Sequence, residues 1–278
     1  MVTQTAAPKL LRRQVALPQD HGSWVFILSP LIIGLFAGNK LTLGSFILIV
    51  GVMAAFLSRQ PVTMLVKVYS GRRNRRDLSA AVFWAAIYLS ISLIAVISLV
   101  YLGYGYILLL AIPGVPVFVW HLVLVSRRSE RRQMGVEIVA SGVLALAAPA
   151  AYWIGIGHYD PSGWWLFLLI WFQSAASIVY AYLRLEQREL RALPDLRARF
   201  AMGRLALGYT SINLIAVTAL AIAGVLPVLL PIPYLLQWGE TLWGISHPAL
   251  GWKPVQIGTR QLIISTLFTI LFILTWTG

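Results

Sequence analysis

The sequence predicts an all-α, polytopic transmembrane helical bundle of about nine helices. Four observations carry that prediction. Of 278 residues, 59% are hydrophobic and only 11% are charged, against about 25% charged in an ordinary soluble domain. The apolar residues arrive in blocks close to the ~20 residues that cross a bilayer as helix. Strand-like alternation is absent, so helices rather than a closed barrel must satisfy the backbone in lipid. The basic residues, finally, fall in alternate loops.

The segments lie at about 23–38, 41–68, 79–102, 105–125, 135–156, 163–183, 205–224, 226–246 and 259–276. The first is entered through "ALPQDHGSWVFIL". Asp20 suits a helix N-terminus, where it complements the dipole, and Trp24 suits the membrane interface. His21 has no use in that account. Lys9, Arg12 and Arg13 ahead of an apolar run resemble a signal peptide. No small-x-small cleavage site follows, so a retained first helix is expected.

The second segment is apolar over 41–57, then carries Arg59 and Lys67 within "SRQPVTMLVKVY". Pro61 is expected to kink it. Arg59, Thr63 and Lys67 share one helix face by their spacing. Two cations on one stripe want an anion, unless both reach the headgroups. In the fourth segment His121 is a lone imidazole, expected to pack. Glu137 in the fifth lies in a first turn, where the dipole favours it.

Gln173, Ser177, Tyr180 and Arg184 form a polar stripe on the sixth segment, of the kind that joins membrane helices. Ser211 and Asn213 on the seventh read the same way. The eighth, with Pro227, Pro231 and Pro233 near its start, places Gln237, Glu240 and Thr241 on one side and His247 beyond. An isolated carboxylate there needs a cation, and Arg59 is the partner expected for Glu240.

Counting charge by side orients the chain. One side holds 21 of the 22 Lys and Arg residues; the other holds Lys40. Basic residues in short loops stay cytoplasmic, so a bacterial inner (plasma) membrane protein with N-terminus inside and C-terminus outside is expected. The formal charge of +13 sits in short membrane-flanking clusters. That argues against nucleic acid and for anionic phospholipid headgroups, at roughly 1 kcal/mol per basic residue near the surface. The connecting loops are short, so residues 1–278 read as a single transmembrane domain. Its cytoplasmic N-terminal segment is 1–20, and 184–204 is its longest cytoplasmic loop.

Cysteine is absent, which excludes disulfides and thiolate chemistry. His158 and Asp160 are too few for a metal site. No metal and no cofactor is expected. What remains is a set of ionisable and polar groups at the inward ends of different helices: His21, Arg59, Lys67, Tyr180, Arg184, Glu240 and His247. Intramembrane ionisable groups usually face a bundle interior, so these are the candidate ligand-binding residues of a cytoplasm-facing chamber.

The segments "PQDHGSWVFILSPLIIG", "FLSRQPVTMLVKVY" and "GTRQLIISTLFTILFILTW" resemble the YwiC-like integral membrane proteins of bacteria. The helix plan is also similar to that of the UbiA-like intramembrane prenyltransferases, whose Asp-rich motifs bind Mg²⁺ and a prenyl diphosphate. The corresponding stretches here are "SRQPVTMLVKVYSGRRNRRD" and "VYAYLRLEQRELRALPDLRARF". The first has no acid before Asp77; the second offers only Glu186, Glu189 and Asp195. Magnesium needs carboxylate oxygens, whereas Arg59 and Lys67 repel it and suit an anion.

The resemblance and the charges together lead to an integral membrane protein whose chamber binds an amphipathic anionic lipid or an isoprenoid or quinone-type molecule, without Mg²⁺-diphosphate chemistry. A transporter of a small organic anion is one alternative. A noncatalytic accessory or assembly subunit with a membrane protein partner is another. The spacing shows no nucleophile–base pair or phosphate loop. Any enzyme on this plan would be a prenyltransferase-like transferase without the usual Asp motifs.

Overall fold

A computed structural model describes residues 13–18, 22–72, 75–127 and 133–277. Asp20 and His21 lie outside the described residues. Everything regular among the described residues is helical. Seven stretches are long and apolar enough to cross a membrane: Leu43–Tyr69, Arg75–Tyr101, Gly105–Ser126, Met134–Ile156, Ser162–Gln187, Leu196–Ile222 and Pro254–Trp276. Ser23–Ala37 is apolar but shorter. At ~1.5 Å per residue its 15 residues extend about 22 Å, less than the ~30 Å hydrocarbon core. Length and composition thus make the chain a multi-pass helical membrane protein. Each predicted segment contains helix, but the eighth is helical only from Pro231, and the expected loop 184–204 shrinks to 188–195, because Ser162–Gln187 and Leu196–Ile222 extend into it.

The described chain divides into two compact units. The first draws on the described residues within 1–21 and 41–133. It contains the single turn α1 (Arg13–Ala16) and the helices α3 (Leu43–Tyr69), α4 (Leu78–Tyr101) and α5 (Ala111–Ser126). Thr42 starts α3 with a capping box: its hydroxyl accepts from the Ser45 N–H at 3.3 Å, and Ser45 Oγ accepts from the Thr42 N–H at 3.2 Å. Two orphan donors of the helix end are met reciprocally. Pro61 lies inside one continuous α3. The turn α1 is fastened by side chains, Gln60 Nε2 donating to the Gln14 carbonyl and the Tyr88 hydroxyl to the Ala16 carbonyl. Val15 packs with Met64, Ala80 and Ala81 beneath it.

The second unit draws on residues 22–40 and 134–278. It contains α2 (Ser23–Ala37), α6 (Met134–Ala145), α7 (Ala147–Ile156), α8 (Ser162–Gln187), α9 (Leu196–Ile222), α10 (Pro231–Ser246) and α11 (Pro254–Thr277). The predicted segment 135–156 is two helices broken at Leu146. Pro149 explains the break: it has no N–H for the Ala145 carbonyl, and its ring crowds that turn.

Helices in lipid gain little from mutual burial of apolar surface and depend on close packing. Here α2 lies on α7 backbone to backbone. A Cβ on Gly34 would collide with the Ala148 carbonyl, and one on Gly38 would stand 2.9 Å from Gly155 Cα. The core beneath is formed by Ile33, Leu166, Ile170, Tyr234, Phe268 and Phe272, all buried.

Candidate functional site

The site lies within the second unit, where α8, α10 and α11 meet. It begins as a packing device. The carbonyls of α8 already hold its helical bonds, yet four of them also accept side chains from neighbouring helices. Leu169 takes the Tyr234 hydroxyl at 3.0 Å and Phe172 takes Asn213 Nδ2 at 2.9 Å. Gln173 takes Gln237 Nε2 at 3.0 Å, and Ser177 takes Gln261 Nε2 at 3.0 Å. Such bonds fix helix register where water cannot compete.

Further along the same α8 face, the Tyr180 hydroxyl donates to Glu240 Oε1 at 2.8 Å. Arg260, on α11, closes on that carboxylate with both arms of its fork. Nε donates to Oε1 at 2.6 Å and Nη2 to Oε2 at 2.7 Å. Paired N–H···O bonds of this kind are the strong, geometrically specific form of an ion pair. Gly244 makes room for the arrangement, since a Cβ there would run into the Tyr180 hydroxyl.

One turn on, Arg184 is almost completely buried, 1% exposed. Its Nη1 donates to Gln187 Oε1 at 2.9 Å and to the Gly244 and His247 carbonyls at 2.7 and 2.8 Å. These carbonyls end α10, where the helix leaves them without intrahelical partners and the dipole favours a cation. Aromatic faces complete the cage, with Trp252 at 5.0 Å, Trp243 at 5.6 Å and Tyr180 at 5.9 Å from the guanidinium carbon. Arg184 Nη2 has no hydrogen-bond partner among the described residues. Trp243 serves both cations, for the Arg260 guanidinium lies 3.5 Å over its ring. The His247 ring stacks on it at 5.0 Å. Two guanidinium groups and one carboxylate leave the cluster with a single net positive charge.

Beneath the Glu240–Arg260 pair is a small polar cavity. Its walls include Gln173, Ser177, Gln237, Thr241, Gln261 and Ser265, with Tyr180 and Glu240 at one end. It leaves about 20 Å³ for the centre of a water molecule, room for one small polar group. Gln237 is 6% exposed, and its Oε1 has no partner among the described residues. A second hollow, an apolar groove of about 430 Å³, runs between α2 and α11. Leu28, Ile32, Phe36, Ile270 and Ile273 line it, and Ser265 lines both hollows.

Four of the seven candidate residues, Tyr180, Arg184, Glu240 and His247, therefore gather in one cluster. His247 contributes through its ring and its backbone carbonyl. Arg59 and Lys67 belong to the first unit, on α3, where the Arg59 guanidinium stands 5.6 Å over Phe56. His21 lies outside the described residues. The sequence pairs Glu240 with Arg59; in the structure its two oxygens are held by Arg260 and Tyr180.

Arg260 and Gln261 escape the sequence reading because the segment 259–276 sets them in its first turn, beside a basic loop. α11 begins at Pro254. Pro is favoured at the first helical position, and that signal sets both residues more than a turn inside the helix. Among the described residues, no three His, Asp or Glu side chains gather as metal ligands.

Residues 17–152 match the family model described as YwiC-like protein. The chain is 25% identical over 202 residues to "Uncharacterized protein YwiC" of Bacillus subtilis (strain 168), a match covering 67% of this chain and 79% of that protein. No solved structure matches. The cavity residues, between 173 and 268, lie beyond the family match.

Proposed function

Taking a chain that is YwiC-like over residues 17–152 as the premise, we propose that its second unit is a membrane-embedded binding site for an amphipathic lipid of isoprenoid or quinone type. The tail lies in the α2–α11 groove and the head enters the polar cavity among α8, α10 and α11. One observation carries this reading. Ser265 lines an apolar hollow large enough for a hydrocarbon chain and also a polar one that holds an unsatisfied amide oxygen. Ligand sites combine this way, with a mainly apolar lining and a few convergent polar groups that fix orientation.

The single net positive charge of Arg184, Arg260 and Glu240 keeps the neighbourhood tolerant of an anionic lipid surface. By the positive-inside rule the cluster lies at the cytoplasmic side of a bacterial inner membrane, with the N-terminus inside and the C-terminus outside. The basic loops then rest on anionic phospholipid headgroups. Nothing in the cluster supplies a nucleophile with its base, so holding the molecule is the role the residues support.

The test is native mass spectrometry with lipid extraction of gently purified protein. A lipid retained well above its share of the bulk membrane, and lost in Ser265→Phe, is the expected result. Retention of bulk phospholipids alone, unchanged in Ser265→Phe, overturns the reading.

A further inference from the structure

We propose that the group bound in the cavity is one uncharged hydroxyl, the head of a long-chain alcohol, donating its proton to Gln237 Oε1. The inference rests on the lipid-binding reading and specifies the chemistry of the head.

The orientation of the Gln237 amide is set by its neighbour. The Gln173 carbonyl, 3.0 Å from the amide, can only accept, so the nitrogen must face it and the oxygen must face the cavity. That oxygen is buried and has no donor among the described residues, a state that costs about 1–3 kcal/mol unless something fills it. A group that answers this oxygen is therefore a donor.

Size and charge narrow the class. The cavity admits one group of about the size of water. A hydroxyl fits that space, whereas a carboxylate or a phosphate with its several oxygens does not. Of the charged groups near it, Glu240 lines the cavity, whereas Arg260 and Arg184, whose Nη2 has no partner among the described residues, stand outside that lining. Both Glu240 oxygens are occupied and the Arg260 fork is closed on them. Arg184 Nη1 is taken by three oxygens outside the cavity lining. The Thr241 hydroxyl is turned to the Gln237 backbone carbonyl. The Ser177 and Ser265 hydroxyls line the same space and can donate to the oxygen of the incoming alcohol.

The tail path is drawn past Ser265, the residue that lines both the cavity and the α2–α11 groove. The groove's lining on α2 runs from Val25 to Phe36, about 16 Å at ~1.5 Å per residue. A flexible hydrocarbon chain fits there, for the lining is mainly apolar, with Ser29, Ser265, Thr266 and Thr269 as its hydroxyl groups.

The full chain in lipid nanodiscs, photolabelled with a diazirine-bearing farnesol, tests this. Label is expected on peptides of α2 or α11, with unlabelled farnesol competing. Farnesyl methyl ether, which has no donor, and farnesyl phosphate, which is too large and charged, are expected to compete at least about tenfold more weakly. Gln237→Leu is expected to weaken farnesol binding by about tenfold, the loss of one hydrogen bond. The ether comparison uses the unaltered chain and decides the matter even if that variant fails to fold. An ether or phosphate that competes as well as the alcohol overturns the hydroxyl while leaving a lipid site. Absence of label from both helices overturns the lipid reading and the hydroxyl with it.

Discussion

Arg260 grips Glu240 through two parallel hydrogen bonds, Nε to Oε1 at 2.6 Å and Nη2 to Oε2 at 2.7 Å. The two residues sit on consecutive helices, α10 and α11, and the carboxylate is 7% exposed against 33% for the arginine. A carboxylate at such a depth persists as an anion only with its cation beside it.

Removing one member of the pair should therefore cost more than removing both. Arg260→Gln leaves Glu240 with only the Tyr180 hydroxyl and is expected to destabilise the protein by about 2–3 kcal/mol, below the fully buried case because Arg260 is partly solvated. Glu240→Gln combined with Arg260→Gln should recover part of that loss. Thermal unfolding of the two single variants and the double variant in detergent measures the coupling.

Arg184 should not tolerate lysine. Its planar fork reaches three oxygens while stacking on aromatic faces, which a compact ammonium cannot reproduce. Arg184→Lys is expected to lower stability by about 2 kcal/mol, and Arg184→Ala by about 3–5 kcal/mol, because the end of α10 loses its cation and a cavity opens. Unfolding midpoints of both variants check this. Equal stability of Arg184→Lys and the parent would show that charge alone suffices.

Two glycines should respond in opposite directions. Gly34→Ala drives a methyl into the Ala148 carbonyl and is expected to cost about 1–3 kcal/mol. Gly208, inside α9, has open space where a Cβ would stand. Gly208→Ala is expected to stabilise by about 0.5–1 kcal/mol, since glycine loses more backbone freedom in a helix than alanine. Relative melting temperatures give the answer directly.

Sidedness can be read without background, because the chain has no cysteine. A single cysteine at Lys40 should react with an impermeant maleimide added to intact cells. One at Glu189 should react only after the membrane is opened. The reverse pattern would invert the topology drawn from the basic loops.

Much of the candidate site was visible in one dimension. The intervals of four, three and four residues that separate Gln173, Ser177, Tyr180 and Arg184 put them on one helix face, and the structure keeps them there. Gln237, Glu240 and Thr241 were likewise legible as one polar side of a helix. The partners were not legible. Glu240 could be assigned a cation from the sequence, but the choice between Arg59 and Arg260 depended on which helices pack together. With α11 starting at Pro254, Arg260 stands more than a turn inside the helix and forms a wall of the cluster.

The sequence by itself determined that this chain crosses a membrane several times as helices, because the cost of an unsatisfied peptide group in hydrocarbon leaves no other solution for such apolar blocks. It also fixed which face of each helix is polar, because that follows from 3.6 residues per turn. Only the tertiary structure decided that α8, α10 and α11 adjoin, that Gly244 lets Tyr180 reach Glu240, and that Gln237 turns an unanswered oxygen into a space of molecular size. Those outcomes depend on contacts between residues 20 to 84 positions apart, and helical periodicity holds no information about distances of that kind.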